Sequence, residues 1–148
     1  MDGVLTDFER AYEELTGINI EGKHLNDSSF WEPISKAGVK FWNDMNWKKD
    51  GKELWEFIKP LRPKLLSAPS RENSSRVGKH QWVERELPGV PLLLRSAERK
   101  KDLAEPNAIL IDDREDNIQG WIEKGGIGIL HTSTKDTINK LENILKTK

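Results

Sequence analysis

Cysteine is absent from the 148 residues, and only three histidines are present. Disulfides, thiolate nucleophiles and zinc–thiolate centres are thereby excluded, and a transition-metal site is disfavoured, so any metal should rest on oxygen ligands. No run of apolar residues approaches the roughly 18 to 20 that a membrane helix needs. The chain opens with Asp2, Asp7 and Glu9, where a secretory leader would carry a basic and then an apolar segment. Membrane spanning and secretion are both disfavoured, and a cytoplasmic compartment is expected. An excess of one charge is lacking as well. The 24 Lys and Arg against 25 Asp and Glu leave a net charge of −1, far from the basic surplus with which proteins grip nucleic-acid polymers. Internal repeats and low-complexity tracts are also missing.

What is present argues for one folded domain. Six Trp and four Phe are too much apolar area to leave in water, and the length suits a single core. Charge is uneven locally: from Arg62 to Asp102, ten Lys and Arg stand against five Asp and Glu, a balance of +5. This middle segment either faces an anionic ligand or is a helix with a solvated basic face.

Apolar periodicity divides the chain. Phe8, Ala11, Tyr12 and Leu15 predict a helix over 7–16 with Gly17 as its C-cap. Asn26 to Ser29 can cap a helix carrying Phe30, Trp31 and Ile34 that Gly38 ends, and another helix is expected over 52–58. Four of the six Trp (31, 42, 47 and 55) fall between 18 and 60, which suggests a small helical insert with its own aromatic core. Beyond Pro60, strand and helix alternate. Strands are expected at 65–67, 90–94, 108–111 and 127–130. Helices are expected at 71–87, with Val77 and Trp82 inward, around 118–122, and after Ser133 or Thr134. The expected class is α/β, a parallel sheet with helices on both faces. The domain reading is a core from 1–17 and 61–148 with an insert at 18–60.

In such folds ligands bind at the carboxyl ends of the strands. Asp112 and Asp113 end one strand, and Asp116 follows four residues after the first. Clustered like charges are explained either by a hard divalent cation, most simply Mg²⁺, or by complementing a helix dipole. Ser67 ends another strand, where a hydroxyl and unpaired N–H groups hold a phosphate or merely cap a helix. Lys100 and Lys101 follow a third, and either neutralise a phosphate or decorate the surface. Lys79 and Arg114 are expected at the surface or behind the site residues, and His24, His80 and His131 carry no motif.

In chain order, Asp-Gly-Val-Leu-Thr-Asp-Phe at 2–8, Leu-Leu-Ser at 65–67, Lys at 100 or 101 and Ile-Leu-Ile-Asp-Asp-Arg at 109–114 resemble the four motifs of the haloacid dehalogenase-like superfamily. With Leu-Ile-Asp-Asp-Arg-Glu-Asp-Asn at 110–117 and the aromatic-rich insert, the chain looks most like the 5′(3′)-deoxyribonucleotidase branch. The resemblance spans essentially the whole chain. It implies hydrolysis of phosphate monoesters through an aspartyl-phosphate. Asp2 then matches the acid/base and a metal ligand, Ser67 the phosphate-binding hydroxyl, Lys100 the motif lysine with Lys101 as substitute, and Asp112 and Asp113 the Mg²⁺ carboxylates. Asp116 would orient the metal's surroundings. The insert would be a cap in which Phe30, Trp31, Phe41, Trp42 and Trp47 either stack on a base or form the cap's own core. The implied partner is a small phosphate ester, most simply a (deoxy)nucleoside monophosphate, with neither membrane nor nucleic-acid polymer, and with a homodimer left open.

The same resemblance places the nucleophilic Asp immediately before Met1, at the end of an apolar strand. Two explanations are carried forward: a longer reading frame, or a short form that binds phosphate without turnover. The 148 residues alone are expected to be a poor phosphatase, and also unstable, because a missing central strand would expose its neighbours' edges.

Overall fold

The computed structural model describes residues 1–21 and 28–146. Helix α1 spans Phe8–Thr16. The Asp7 carboxylate accepts the Arg10 N–H at 3.2 Å at its start, and Gly17 closes it in the left-handed region at φ 76°, a conformation that costs glycine no Cβ clash. Helix α2 (Ser28–Ala37) and the short α3 (Val39–Asn43) are separated by Gly38. The expected cap residues Asn26 and Asp27, and also His24, lie outside the described residues. Helix α4 (Gly51–Ile58) runs into a 3-10 turn at Lys59–Leu61. There follow β1 (Leu65–Ser67), α5 (Asn73–Glu86), β2 (Leu92–Leu94), a 3-10 segment (Ala97–Leu103), β3 (Ile109–Asp112), α6 (Glu115–Glu123), β4 (Ile127–Leu130) and α7 (Thr134–Lys146).

The class is mixed α/β, but the strands form two small parallel sheets rather than one. In the first, Leu65 pairs with Leu92 and Ser67 with Leu94; in the second, Ile109 pairs with Ile127 and Asp112 with Leu130. The expectation of a single sheet is corrected here, and the reason is local. Residues 1–6 are coiled into turns, with the N–H groups of Val4, Leu5 and Thr6 converging on the Met1 carbonyl at 3.2, 2.8 and 3.2 Å. Backbone groups spent in this way cannot form a ladder with β1 or β3. What pairing this segment makes is confined to isolated bridges, Asp2 with Thr6 and Thr6 with Trp47.

A second correction concerns the insert. The aromatic residues of 18–60 do not pack as a separate core: Phe30, Phe41, Trp42 and Trp55 belong to one buried cluster with Leu65, Trp82, Ile129 and Leu141. Helix α3 packs on α5 and α4 on α7. A smaller cluster of Leu110, Ile118 and Trp121 fills the space between β3 and α6.

Helix α5 buries Ser75, Gly78, Lys79, Trp82 and Val83, whereas Val77, expected inward, is 37% exposed. The spacing is helical, but the phase is set by tertiary contact rather than by apolarity. Gly78 shows why. A Cβ on it would stand 2.5 Å from the Trp42 Cβ and 2.8 Å from the Val39 carbonyl oxygen, so only a bare Cα lets α3 and α5 approach this closely. Gly78→Ala is expected to cost about 1 to 3 kcal/mol through overpacking, read as a lower midpoint in a urea titration. An unchanged midpoint would show that the two helices can part without loss.

Candidate functional site

Two charged groups stand at the carboxyl ends of the strands. The first is centred on Lys79, which is 1% exposed on α5. Its Nζ donates to the Asp2 Oδ2 at 2.6 Å, to the Ser67 Oγ at 2.5 Å and to the Ala68 carbonyl at 3.3 Å. The Trp42 ring lies beneath it, 5.0 Å from Nζ to the ring centroid. Asp2 also accepts the Thr6 hydroxyl at 2.7 Å. Burial by itself would raise the Asp2 carboxyl. The charge of Lys79, the Met1 α-ammonium and hydrogen bonds from Lys79 and Thr6 outweigh that and hold it at about 2.

The second group sits at the end of β3. Lys100, buried in the 3-10 segment, donates to the Asp112 Oδ2 at 2.9 Å, and the Asn117 Nδ2 approaches the same oxygen at 3.2 Å. The other carboxylate oxygen accepts the Arg114 N–H at 3.0 Å. Burial opposes the charge on Asp112, but Lys100 and these donors keep its carboxyl below the usual range. Asp113 goes the other way: although the residue is exposed overall, partial desolvation of its carboxyl, the adjacent Asp112 charge and a hydrogen bond shared with Asp112 push it up to about 6.

The two groups meet at Gly3. Its φ of 79° and its missing Cβ let the backbone pass against Asp113, whose carboxylate would overlap any side chain there. The Met1 α-amino group acts electrostatically on Asp2, Lys100, Asp112 and Lys79 alike. Asp2, Ser67, Lys100, Asp112 and Asp113, distant in sequence, thus belong to one polar region.

Several expected residues are placed elsewhere. Lys101 is exposed, so of the lysine pair it is Lys100 that reaches a carboxylate. Asp116 is exposed and paired with Arg114 at 3.0 Å. Phe30 and Trp42, offered as base-stacking residues, are corrected to core residues at 6% and 4% exposure, as is the buried Phe41. Phe30 stacks on Tyr12 with centroids 4.4 Å apart, so its face is already covered. Trp47 is half-buried, donates to Glu86 at 2.7 Å and packs on Trp82. Trp31 is half-buried against Phe8 and Phe30.

Of the two places expected for Lys79, at the surface or behind the site residues, the structure shows the second: it is buried and touches Asp2 and Ser67 directly. The signal available was its phase: Ser75, Lys79 and Trp82 share one face of a helix whose last member had to be buried. Asn117 was missed, although it stands five residues after Asp112.

Next to Gly3 opens a cavity of about 350 Å³ lined in part by Phe8, Arg10, Glu13, Asn19 and Lys48. Lys48 donates to the Gly3 carbonyl at 3.4 Å, which ties the wall of this cavity to the backbone between the two charged groups. Among the described residues no three His, Asp or Glu side chains gather closely enough to define a metal centre, and no helix is long and apolar enough to cross a membrane. Asp112 and Asp113 are adjacent carboxylates, and the charge of the first is one of the causes that push the second up.

No family model, no curated protein and no solved structure matches the chain, so its function rests on the geometry of these side chains.

Proposed function

We propose that this region is a Mg²⁺-dependent phosphate-monoester site of the haloacid dehalogenase-like kind, acting on a small ester such as a (deoxy)nucleoside monophosphate. The observation that carries the reading is a buried ammonium, Lys79, held between a strand-end hydroxyl and the Asp2 carboxylate. A phosphoryl group entering there would take over ammonium donors that now go to Asp2, Ser67 and Ala68, with the Ser67 hydroxyl beside them. Lys79 and Ser67 hold the phosphoryl oxygens, while Lys100 fixes the Asp112 carboxylate. Asp112 and Asp113 would hold the cation, which would supply charge neutralisation at the phosphoryl oxygens, and Asp2, paired with Lys79, is left to proton transfer. The cavity beside Gly3 takes the leaving group.

In this reading the attacking carboxylate belongs to an Asp ahead of Met1. Its oxygen forms the bond to phosphorus as the ester oxygen leaves with a proton from Asp2, and Asp2 then takes a proton from the water that cleaves the aspartyl-phosphate. Paired with Lys79, Asp2 is ionised and suited to the second role. A phosphoryl dianion competing for Lys79 returns proton affinity to Asp2, which suits it to the first.

The second reading is phosphate binding without turnover. It is favoured by the fact that Asp2 and Asp112 are each held by a lysine, so that neither is free to attack phosphorus. Calorimetric titration with a deoxynucleoside monophosphate and Mg²⁺, beside an assay of phosphate release, separates the two. A chain extended upstream by an apolar strand ending in Asp is expected to release phosphate, and Asp2→Asn or Asp112→Asn to slow it by roughly 10²-fold or more. Binding with no release from either form supports the second reading, and no binding at all ends both.

A further inference from the structure

We propose that Trp42 is a positioning residue: its ring is the fourth partner of the Lys79 ammonium and sets the direction in which that ammonium faces Ser67 and Asp2. The inference rests on the reading of Lys79 as a phosphoryl-holding group. Three observations carry it. The Lys79 Nζ lies over the ring at 5.0 Å from its centroid, within the range in which a buried cation is attracted to an indole face. The indole N–H of Trp42 is buried and has no acceptor among the described residues. A tryptophan retained for its hydrogen bond would have one, as Trp82 does in the Met45 carbonyl at 2.7 Å. What Trp42 contributes is therefore its ring. Finally, Gly78, the residue next to Lys79, is the point at which α5 admits the Trp42 Cβ at close range, so the glycine that joins the helices also seats the ring beneath the ammonium.

An ammonium has three N–H donors, here directed at Asp2, Ser67 and Ala68. Its remaining side is the hydrocarbon stem and whatever lies beneath it. A π face there attracts the cation without accepting one of its protons, so all three donors stay aimed at the site. An aliphatic residue would fill the volume but not attract the charge, and a carboxylate would draw a donor away. Trp42 thus acts on a phosphate through Lys79, even though it is too deeply buried to stack on a base.

The test is a series in which Trp42 alone is replaced by tryptophan carrying one to four ring fluorines, which drains the π face with little change of shape. Binding of inorganic phosphate and of a deoxynucleoside monophosphate, both with Mg²⁺, is expected to weaken in step with fluorine number, by about tenfold at the end of the series. Trp42→Phe should fall within the series. Hydrogen exchange of the Lys79 ammonium, followed in ¹⁵N-lysine spectra, should quicken in parallel, and this readout requires no ligand. Affinity and exchange that stay flat across the series overturn the proposal. So does weakening confined to the nucleotide, which would assign the ring to base stacking. If the parent chain binds neither phosphate nor nucleotide while ammonium exchange still tracks fluorine, the positioning of Lys79 stands and the phosphate-site reading fails.

Discussion

Lys79→Met should lower stability at neutral pH by about 3 kcal/mol, the lower end of the cost of removing one member of a buried ion pair. Methionine fills most of the volume of the lysine stem, so the loss is electrostatic rather than a cavity. Asp2 keeps its charge but loses the ammonium at 2.6 Å, and the Ser67 hydroxyl loses its donor. Because the Asp2 side chain is 27% exposed, water recovers part of the penalty, which is why the lower end applies. For a domain of this length the melting midpoint should fall by roughly 6 to 12 °C.

The pH dependence gives the same pair a distinct signature. With its carboxyl at about 2, against an ordinary value of 3.8, Asp2 contributes about 2 kcal/mol above pH 4, and this is lost as pH falls from about 4 towards 2. In Lys79→Met that loss should vanish or reverse, since burial without the ammonium favours the protonated carboxyl. Lys79→Met combined with Asp2→Asn should regain most of the neutral-pH stability, because no unpaired charge is left. A single Lys79→Met variant that melts with the parent at pH 7 would show that Asp2 and Lys79 do not form this pair in solution.

Trp82→Ala should be at least as damaging, at about 3 to 5 kcal/mol. The side chain is fully buried, donates to the Met45 carbonyl at 2.7 Å and packs against the Trp47 ring with centroids 5.1 Å apart. It joins α5 to the loop after α3, so the cavity it leaves opens where residues 18–60 meet the rest of the core. Since Phe30, Trp42 and Trp55 share one cluster with Trp82 and Ile129, the parent should unfold in urea in one transition, with tryptophan fluorescence and far-ultraviolet dichroism superimposed. Trp82→Ala should shift both curves together. A second transition confined to fluorescence would mean that 18–60 has a core of its own.

That question shows where composition misled. Four tryptophans within 18–60 count as a core of their own only if they face one another. Trp42 and Trp47 face α5 instead, meeting Lys79 and Trp82. Ring count along a segment carries no information about which neighbour covers each ring. The helices and strands were far more legible, because they follow from spacing that a chain enforces on itself. Asp7 and Gly17 bound α1 as expected, Gly38 separates α2 from α3, and the apolar runs at 65–67 and 127–130 are strands. The ends of α5 differ by one or two residues from expectation, but its phase differs by more, since Val77 lies outward and Lys79 inward.

Lys79 could not be found by apolar patterning, because a buried lysine violates the pattern that locates buried faces. Its burial is sustained by Asp2, 77 residues away, and by Ser67 and Trp42, none of which the local sequence announces. Asp112, Asp113 and Ser67 were legible for the opposite reason: polar residues that end apolar strands stand out against the run before them.

The sequence by itself determined the α/β class, the strands and most of the helices, the absence of thiol chemistry and the set of carboxylates, hydroxyl and lysines that could carry chemistry, because these depend on residue type and on short-range periodicity. Tertiary structure alone decided that the strands divide into two sheets, that the aromatic segment shares the common core, and that Lys79 joins Asp2 to Ser67. Each of those depends on which distant groups satisfy a buried charge or backbone donor, a condition set by the packed chain as a whole and written in no local stretch of it.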